Sequence, residues 1–121
     1  MHIAASEAET AAVIQVAHLM LAAARTAPKG CGRDLLHTCI VTGEEKNALA
    51  AKMTELGAGE ERPLFTRDAA NLRQATAVVL LATAGEPLGL KRCGLCGHGS
   101  CAGCAAAGSV CAFVTGDLGI A

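Results

Sequence analysis

Five of the seven cysteines fall between Lys91 and Cys111, in the stretch KRCGLCGHGSCAGCAAAGSVC, at Cys93, Cys96, Cys101, Cys104 and Cys111. Thiols at this density ligate a metal, pair as disulfides or remain free. A secreted disulfide scaffold spreads an even number of cysteines along a short chain. Here the number is odd and the spacing tight, which fits metal ligation and implies a reducing compartment. The residues between the cysteines are mostly Gly and Ala, with one His and one Ser. Little of that builds a core, so an inorganic centre is expected to supply the interior.

Three ligand assignments are open. Cys93-x2-Cys96-x4-Cys101-x9-Cys111 supplies the four thiolates that a [4Fe–4S] cube requires and leaves Cys104 over. Cys96-x4-Cys101-x2-Cys104 copies the plant-type [2Fe–2S] spacing, with Cys93 or Cys111 as the fourth ligand. The pairs Cys93/Cys96 and Cys101/Cys104 form a double CxxC suited to tetrahedral zinc. Only four residues separate those pairs, well short of the usual ribbon spacing. Spacing therefore favours iron–sulfur over zinc, and zinc over unligated thiols.

The intervening residues point the same way. Gly94, Gly97 and Gly99 let the backbone fold round a bulky cluster and turn N–H groups toward its sulfides. Lys91 and Arg92, just before the first ligand, favour the same negative charge. His98 faces water or donates to a cluster sulfur. Ala102 to Ala107 reads as a helical turn ended by Gly108, with Cys101 and Cys104 on one face.

The elements that must position this segment lie upstream. Ser6 with Glu9 forms a capping box, followed by Val13, Val16, Ala17, Met20 and Ala24 at helical spacing as far as Thr26. Pro28 disfavours continuation, and His18 lies near the apolar face without a second ligand. Arg25 to Arg33 is a basic, Gly-containing loop that reads first as a solvated connection and second as a holder of a phosphate or carboxylate on its basic side chains and backbone N–H groups. Cys31 and Cys39 have no CxxC partner and read as small packed or loop residues. Leu35 to Thr42 reads as a strand. Thr42 with Glu45 caps a second helix that Gly57 stops. Gly57 to Pro63 is a polar loop carrying Glu60 and Glu61, and a short helix is expected from Arg67 to Gln74. Ala75 to Ala82 is a short apolar run, expected as a strand buried on both faces and parallel to the first.

These elements define a small layered α/β domain over residues 1–90, an iron–sulfur segment over 91–112, and a truncated continuation over 113–121. Two strands cannot close a sheet, so the domain is expected to be incomplete, finished by a partner or by more of the polypeptide. At 121 residues the chain holds one domain. Its apolar fraction of 52% is largely Ala, with two Phe and no Trp or Tyr, so its own core is thin. Ten basic and eleven acidic residues give a net charge of −1, which excludes a nucleic-acid footprint. Ala11 to Ala24 is too short and polar to span a bilayer and lacks the basic flank of a signal peptide, so a cytoplasmic protein without membrane insertion is expected. Walker, GxGxxG and hydrolase patterns are absent from the sequence.

Four motifs, in order, resemble one family: Ala22 to Lys29 (AAARTAPK), Ile40 to Lys46 (IVTGEEK), Arg67-Asp68-Ala-x-Asn71, and Cys93-Gly-x-Cys96-Gly-x-x-x-Cys101. The family is a prokaryotic one described as containing a ferredoxin domain, without an assigned activity. The match runs through essentially the whole chain. It implies a [4Fe–4S] cluster on Cys93, Cys96, Cys101 and Cys111, with Cys104 additional to the family pattern and an alternate ligand. The cysteine pattern is also similar to the cluster domain of Rnf-type ferredoxin-like electron-transfer subunits. Members of the family continue well past a motif like Asp117 to Ala121.

A second similarity links Ala23 to Pro28, the strand at Ile40, the following helix and the strand at Val78 to the front half of nitroreductase-type flavoproteins. Those bind FMN between two subunits, so this likeness implies a homodimer with Arg25 and Lys29 near the flavin or its phosphate. Lys29-Gly-Cys-Gly stands where polar Ser and Asn usually follow the Pro. The function expected first is an electron carrier that relays electrons through a [4Fe–4S] centre to or from a redox partner protein. A flavin-dependent reductase with an accessory cluster is the alternative, and a zinc-stapled interaction module the second alternative.

Overall fold

The computed structural model describes residues 1–59 and 62–121; Glu60 and Glu61 of the expected polar loop lie outside the described residues. In chain order the elements are helix α1 (Ala5–Thr26), a 3₁₀ turn (Gly30–Gly32), strand β1 (Leu36–Thr42), helices α2 (Gly43–Gly59) and α3 (Pro63–Gln74), strand β2 (Ala77–Thr83), and helices α4 (Cys101–Ala106) and α5 (Ala112–Ile120). The α/β class read from the sequence is therefore the observed one.

The chain divides into two compact units. One holds Met1–Met20 and Cys39–Leu80; the other holds Leu21–Thr38 and Leu81–Ala121. The strands pair as a two-stranded antiparallel sheet. The unit boundary reflects that direction, because Leu36–Thr38 share a unit with Leu81–Thr83 while Cys39–Thr42 share one with Ala77–Leu80. This corrects the expectation of parallel neighbours. One crossover helix returns a chain to start a parallel strand, but two helices forming a hairpin reverse it once more. Antiparallel packing of α2 on α3 is visible in the approach of Gly57 to Thr66 and of Lys46 to Leu72 and Arg73. Nor is β2 buried on both faces: its residues are half-buried or exposed, and Leu80 is 38% accessible.

In the first unit small side chains make the close contacts. Ala17, Ala50 and Ala69 are buried, whereas Val13, Val16, Leu19 and Met20 of α1 are exposed. The apolar stripe expected on α1 thus exists but is largely uncovered, and His18 beside it is exposed too. Ser6 lies inside the first turn, and the helix starts on the carbonyl of Ala4, which accepts from Glu7 and Ala8. Helix α3 starts at Pro63, four residues before the expected Arg67, since proline at the first helical position forfeits no hydrogen bond.

The IVTGEEK motif contains the main polar tie of this unit. Lys46 is 5% exposed, and its ammonium donates to the backbone carbonyls of Leu72 (2.8 Å) and Arg73 (3.1 Å) and to Asn47. The two carbonyls belong to the last turn of α3, where helix ends leave acceptors unpaired and attract cations. Lys46→Met keeps the aliphatic stem but leaves both carbonyls without that donor. It should destabilise the fold by ~2 kcal/mol, read as a lower urea midpoint at unchanged slope.

Candidate metal centre

The second unit contains all five clustered cysteines, the basic loop after α1, and α4 and α5. Its apolar cluster is Leu88, Cys111 and Val114, with Leu35 and Leu90 packed against them. Val114 and Asp117 are the buried residues of α5, a helix where the sequence predicts a truncated continuation. Gly116 and Gly119 obscured that helix. The signal that could have found it is Val114 and Asp117 three apart on one face.

Each turn of the cysteine segment has a local cause. Gly97 N–H donates to Gly94 O (2.9 Å), closing a tight turn between Cys93 and Cys96. That bond directs the Gly97 amide into the turn rather than toward a cluster sulfide. Ser100 starts α4, its Oγ accepting from Gly103 N–H at 3.0 Å. Cys101 and Cys104 follow on one face of the helix, both buried. Gly108 then ends it in a left-handed conformation, as the sequence predicted. Cys111 N–H donates to Gly85 O at 2.7 Å, and its thiol packs in the apolar cluster. Gly85 has φ +71°, and a Cβ there would meet Val110 at 2.9 Å, so this close approach requires glycine.

Cys101, Cys104 and Cys111 are buried, while Cys93 and Cys96 are half-buried. The Cys104 Sγ donates to Ser109 O at 3.5 Å. Burial, followed by the influence of Cys96 and then of Cys111 and Cys101, pushes the Cys104 thiol above its ordinary range. It is thus held as a neutral thiol within the thiol group. His98 is exposed. Cys31 is exposed on the 3₁₀ turn, in keeping with the loop reading, whereas Cys39 is on β1 and exposed rather than packed.

Among the described residues no three His, Cys, Asp or Glu side chains converge as ligands of a single metal ion would. Thiolates are soft donors of the kind that both zinc and iron–sulfur centres take, and of the five clustered thiols three are buried and two half-buried. An open pocket of about 580 Å³ adjoins the group, lined by Pro87, Leu90, Lys91, Ser100, Cys101 and Ala105 among others.

The basic loop is engaged internally. Arg25 is paired with Asp34 (2.7 Å) and donates to Leu36 O (3.0 Å). Lys29 Nζ donates to the carbonyls of Ala24, Arg25 and Ala27 and so caps the end of α1. Gly30 N–H, the amide suited to an anion, donates to both carboxylate oxygens of the buried Asp117 at 3.1 Å. The anion held by this loop is therefore the chain's own. Arg33 donates to Leu88 O (3.1 Å), tying the loop to the apolar cluster. Arg25 and Lys29, expected near a flavin, have structural partners in this unit.

The chain is similar to a protein of Archaeoglobus fulgidus described as uncharacterised. The two are 38% identical over 117 residues, an alignment covering 89% of this chain and 63% of the relative. The chain thus spans just under two thirds of that relative's length. No family model matches it, and no solved structure does. No helix among the described residues is long and apolar enough to cross a membrane.

Two outcomes follow from this geometry. A Cβ at Gly103 would lie 2.6 Å from the backbone oxygen of His98. Gly103→Ala gains ~1 kcal/mol of helix propensity, but overpacking against rigid backbone costs ~1–3 kcal/mol. Net destabilisation and a displaced Cys101–Cys104 turn are expected, read by thermal melting and by metal content after expression. The carboxyl of Asp34 is held below its ordinary value, chiefly by the Arg25 hydrogen bond and next by the Leu36 N–H. Its contribution to stability is complete above the ordinary aspartate value of ~4 and is lost as pH falls through the lowered one. Wild type should therefore melt higher than Asp34→Asn at pH 7, and the gap should close in strong acid.

Proposed function

We propose that this chain is an iron–sulfur electron-transfer protein that carries one [4Fe–4S] cluster and relays electrons to or from a redox partner protein. The observation that carries the proposal is the gathering of five cysteine thiols in one compact unit, three of them buried. The order of the four sequence motifs, which resembles the ferredoxin-domain family, supports it. Cys93, Cys96, Cys101 and Cys111 are the ligand set, and Cys104 stays beside them as a neutral thiol. When bound, such a cluster accepts and donates one electron at a time.

The protein's part is to hold four thiolates, exclude water and set the local charge. Lys91 and Arg92, both exposed, favour the anionic centre and give a partner an electrostatic mark. Cys101 lines the open pocket, so a partner seated there would approach the centre across one ligand. The reducing conditions that free thiols require point to a cytoplasmic setting.

Purification without oxygen, with iron, sulfide, zinc and flavin analysis, tests the proposal. About four irons and four sulfides per chain are expected. One zinc per chain with no acid-labile sulfide would sink it, and stoichiometric FMN beside the iron would convert the carrier into a reductase. Cys111→Ser should destroy or convert the cluster, whereas Cys104→Ser should keep the [4Fe–4S] signal in electron paramagnetic resonance of the reduced protein. The opposite pattern makes Cys104 the fourth ligand.

A further inference from the structure

We propose that the face of the cysteine unit carrying the open pocket docks an acidic redox protein, which seats an apolar side chain in the pocket. Two stretches of the chain line it: Glu86, Pro87, Leu90 and Lys91 before the first clustered cysteine, and Ala102 and Ala105 of α4. Four of those six offer apolar surface, and Lys91 and Glu86 supply the charges. Leu95, between Cys93 and Cys96, is 63% exposed and is the one large apolar side chain from Cys93 to Cys101. Apolar surface bordered by charged side chains is the make-up of a protein interface, with its dry centre and polar rim.

The sign of the partner follows from which charges are free. This unit holds five basic residues, Arg25, Lys29, Arg33, Lys91 and Arg92, against Asp34, Glu86 and Asp117. It is therefore basic within a chain of net charge −1. Asp34 is paired with Arg25, and the buried Asp117 accepts from Gly30 N–H. Lys29 caps the end of α1, and Arg33 donates to Leu88 O. Lys91 and Arg92 are exposed and make no side-chain hydrogen bond or ion pair among the described residues. Two adjacent unpaired cations beside an apolar pocket attract carboxylates and steer an acidic partner toward it. Glu86 on the same pocket disfavours a continuous phosphate backbone, and the chain has no Trp or Tyr on which bases stack. A protein therefore fits this face better than a nucleic acid, and transient electron-transfer encounters use small interfaces of this kind. That the partner is a redox protein rests on the iron–sulfur proposal; the acid-binding surface does not.

The test titrates the full chain, purified without oxygen, with an acidic flavodoxin and separately with a basic cytochrome c, each followed by calorimetry. Flavodoxin should bind in about 20 mM salt and be released by about 500 mM, where screening is strong. Cytochrome c should bind about tenfold more weakly or not at all. Lys91→Glu with Arg92→Glu should weaken flavodoxin binding about tenfold. Lys52→Glu with Arg67→Glu, at exposed side chains of the other unit, changes net charge equally and should leave binding as it was. Ala105→Trp fills the pocket from an exposed position without changing charge, and it should weaken binding several-fold. No flavodoxin binding at low salt, equal losses in the two charge-reversed variants, or full binding by Ala105→Trp would overturn the proposal. So would cytochrome c or a single-stranded oligonucleotide binding as tightly as flavodoxin. If flavodoxin binds here but the purified chain holds no iron, the acid-binding surface stands and the redox character of its partner falls. If iron is present and flavodoxin does not bind, the cluster proposal stands and the docking surface falls.

Discussion

The limiting constraint on this chain is the scarcity of large side chains for its interior. Among the described residues, the largest that are completely buried are Val114 and Cys104. Phe113 is 44% exposed, and the buried positions of the first unit are mostly alanines. Completely burying a valine-sized side chain stabilises by ~1.5–3 kcal/mol, and an alanine contributes much less. A fold with so little apolar driving force depends on polar ties that are fully satisfied. Among the described residues no buried side-chain nitrogen or oxygen lacks a hydrogen-bond partner. Lys46 closes the end of α3, Lys29 closes the end of α1, and Asp117 takes the amide of Gly30. Each tie replaces contacts that a larger residue would supply in a richer core.

Those ties mark the limit of what the sequence could say. Helix α1, strand β1 and the α4 turn were legible because their signals are local: apolar residues at helical spacing ahead of Pro28, a β-branched run, and the run from Ala102 to Ala107 ended by Gly108. The strand direction was not legible, because it follows from how α2 and α3 pack rather than from β1 or β2 alone. Helix α5 was hidden by Gly116 and Gly119, and with it Asp117. The basic loop was open to two readings, a solvated connection or a holder of a phosphate or carboxylate; the carboxylate it holds is that of Asp117, and a partner 87 positions away along the chain leaves no trace in the loop's own residues.

Within the cysteine unit the division of labour follows from burial. Cys111 is both a thiol and part of the apolar cluster with Leu88 and Val114, so the cluster segment does have a small organic core. That core fixes one end of the segment, through Cys111 N–H on Gly85 O, while Ser100 fixes the start of α4. The stretch between Cys93 and Cys96 is held by one turn hydrogen bond. Two ends of the segment are thus tied to the rest of the unit, and the proposed inorganic centre would be held between those ties.

The surplus thiol is the feature this arrangement explains least by ligation alone. Under the proposed cluster, a spare thiolate beside an anionic centre would be repelled and a spare thiol would compete for iron. Burial, then the neighbouring sulfurs, raise the Cys104 thiol above its ordinary range, and its S–H is directed at Ser109 O. A protonated thiol whose one hydrogen bond is made within the chain would be a poor ligand, so the same surroundings that bury Cys104 set it apart from the other four.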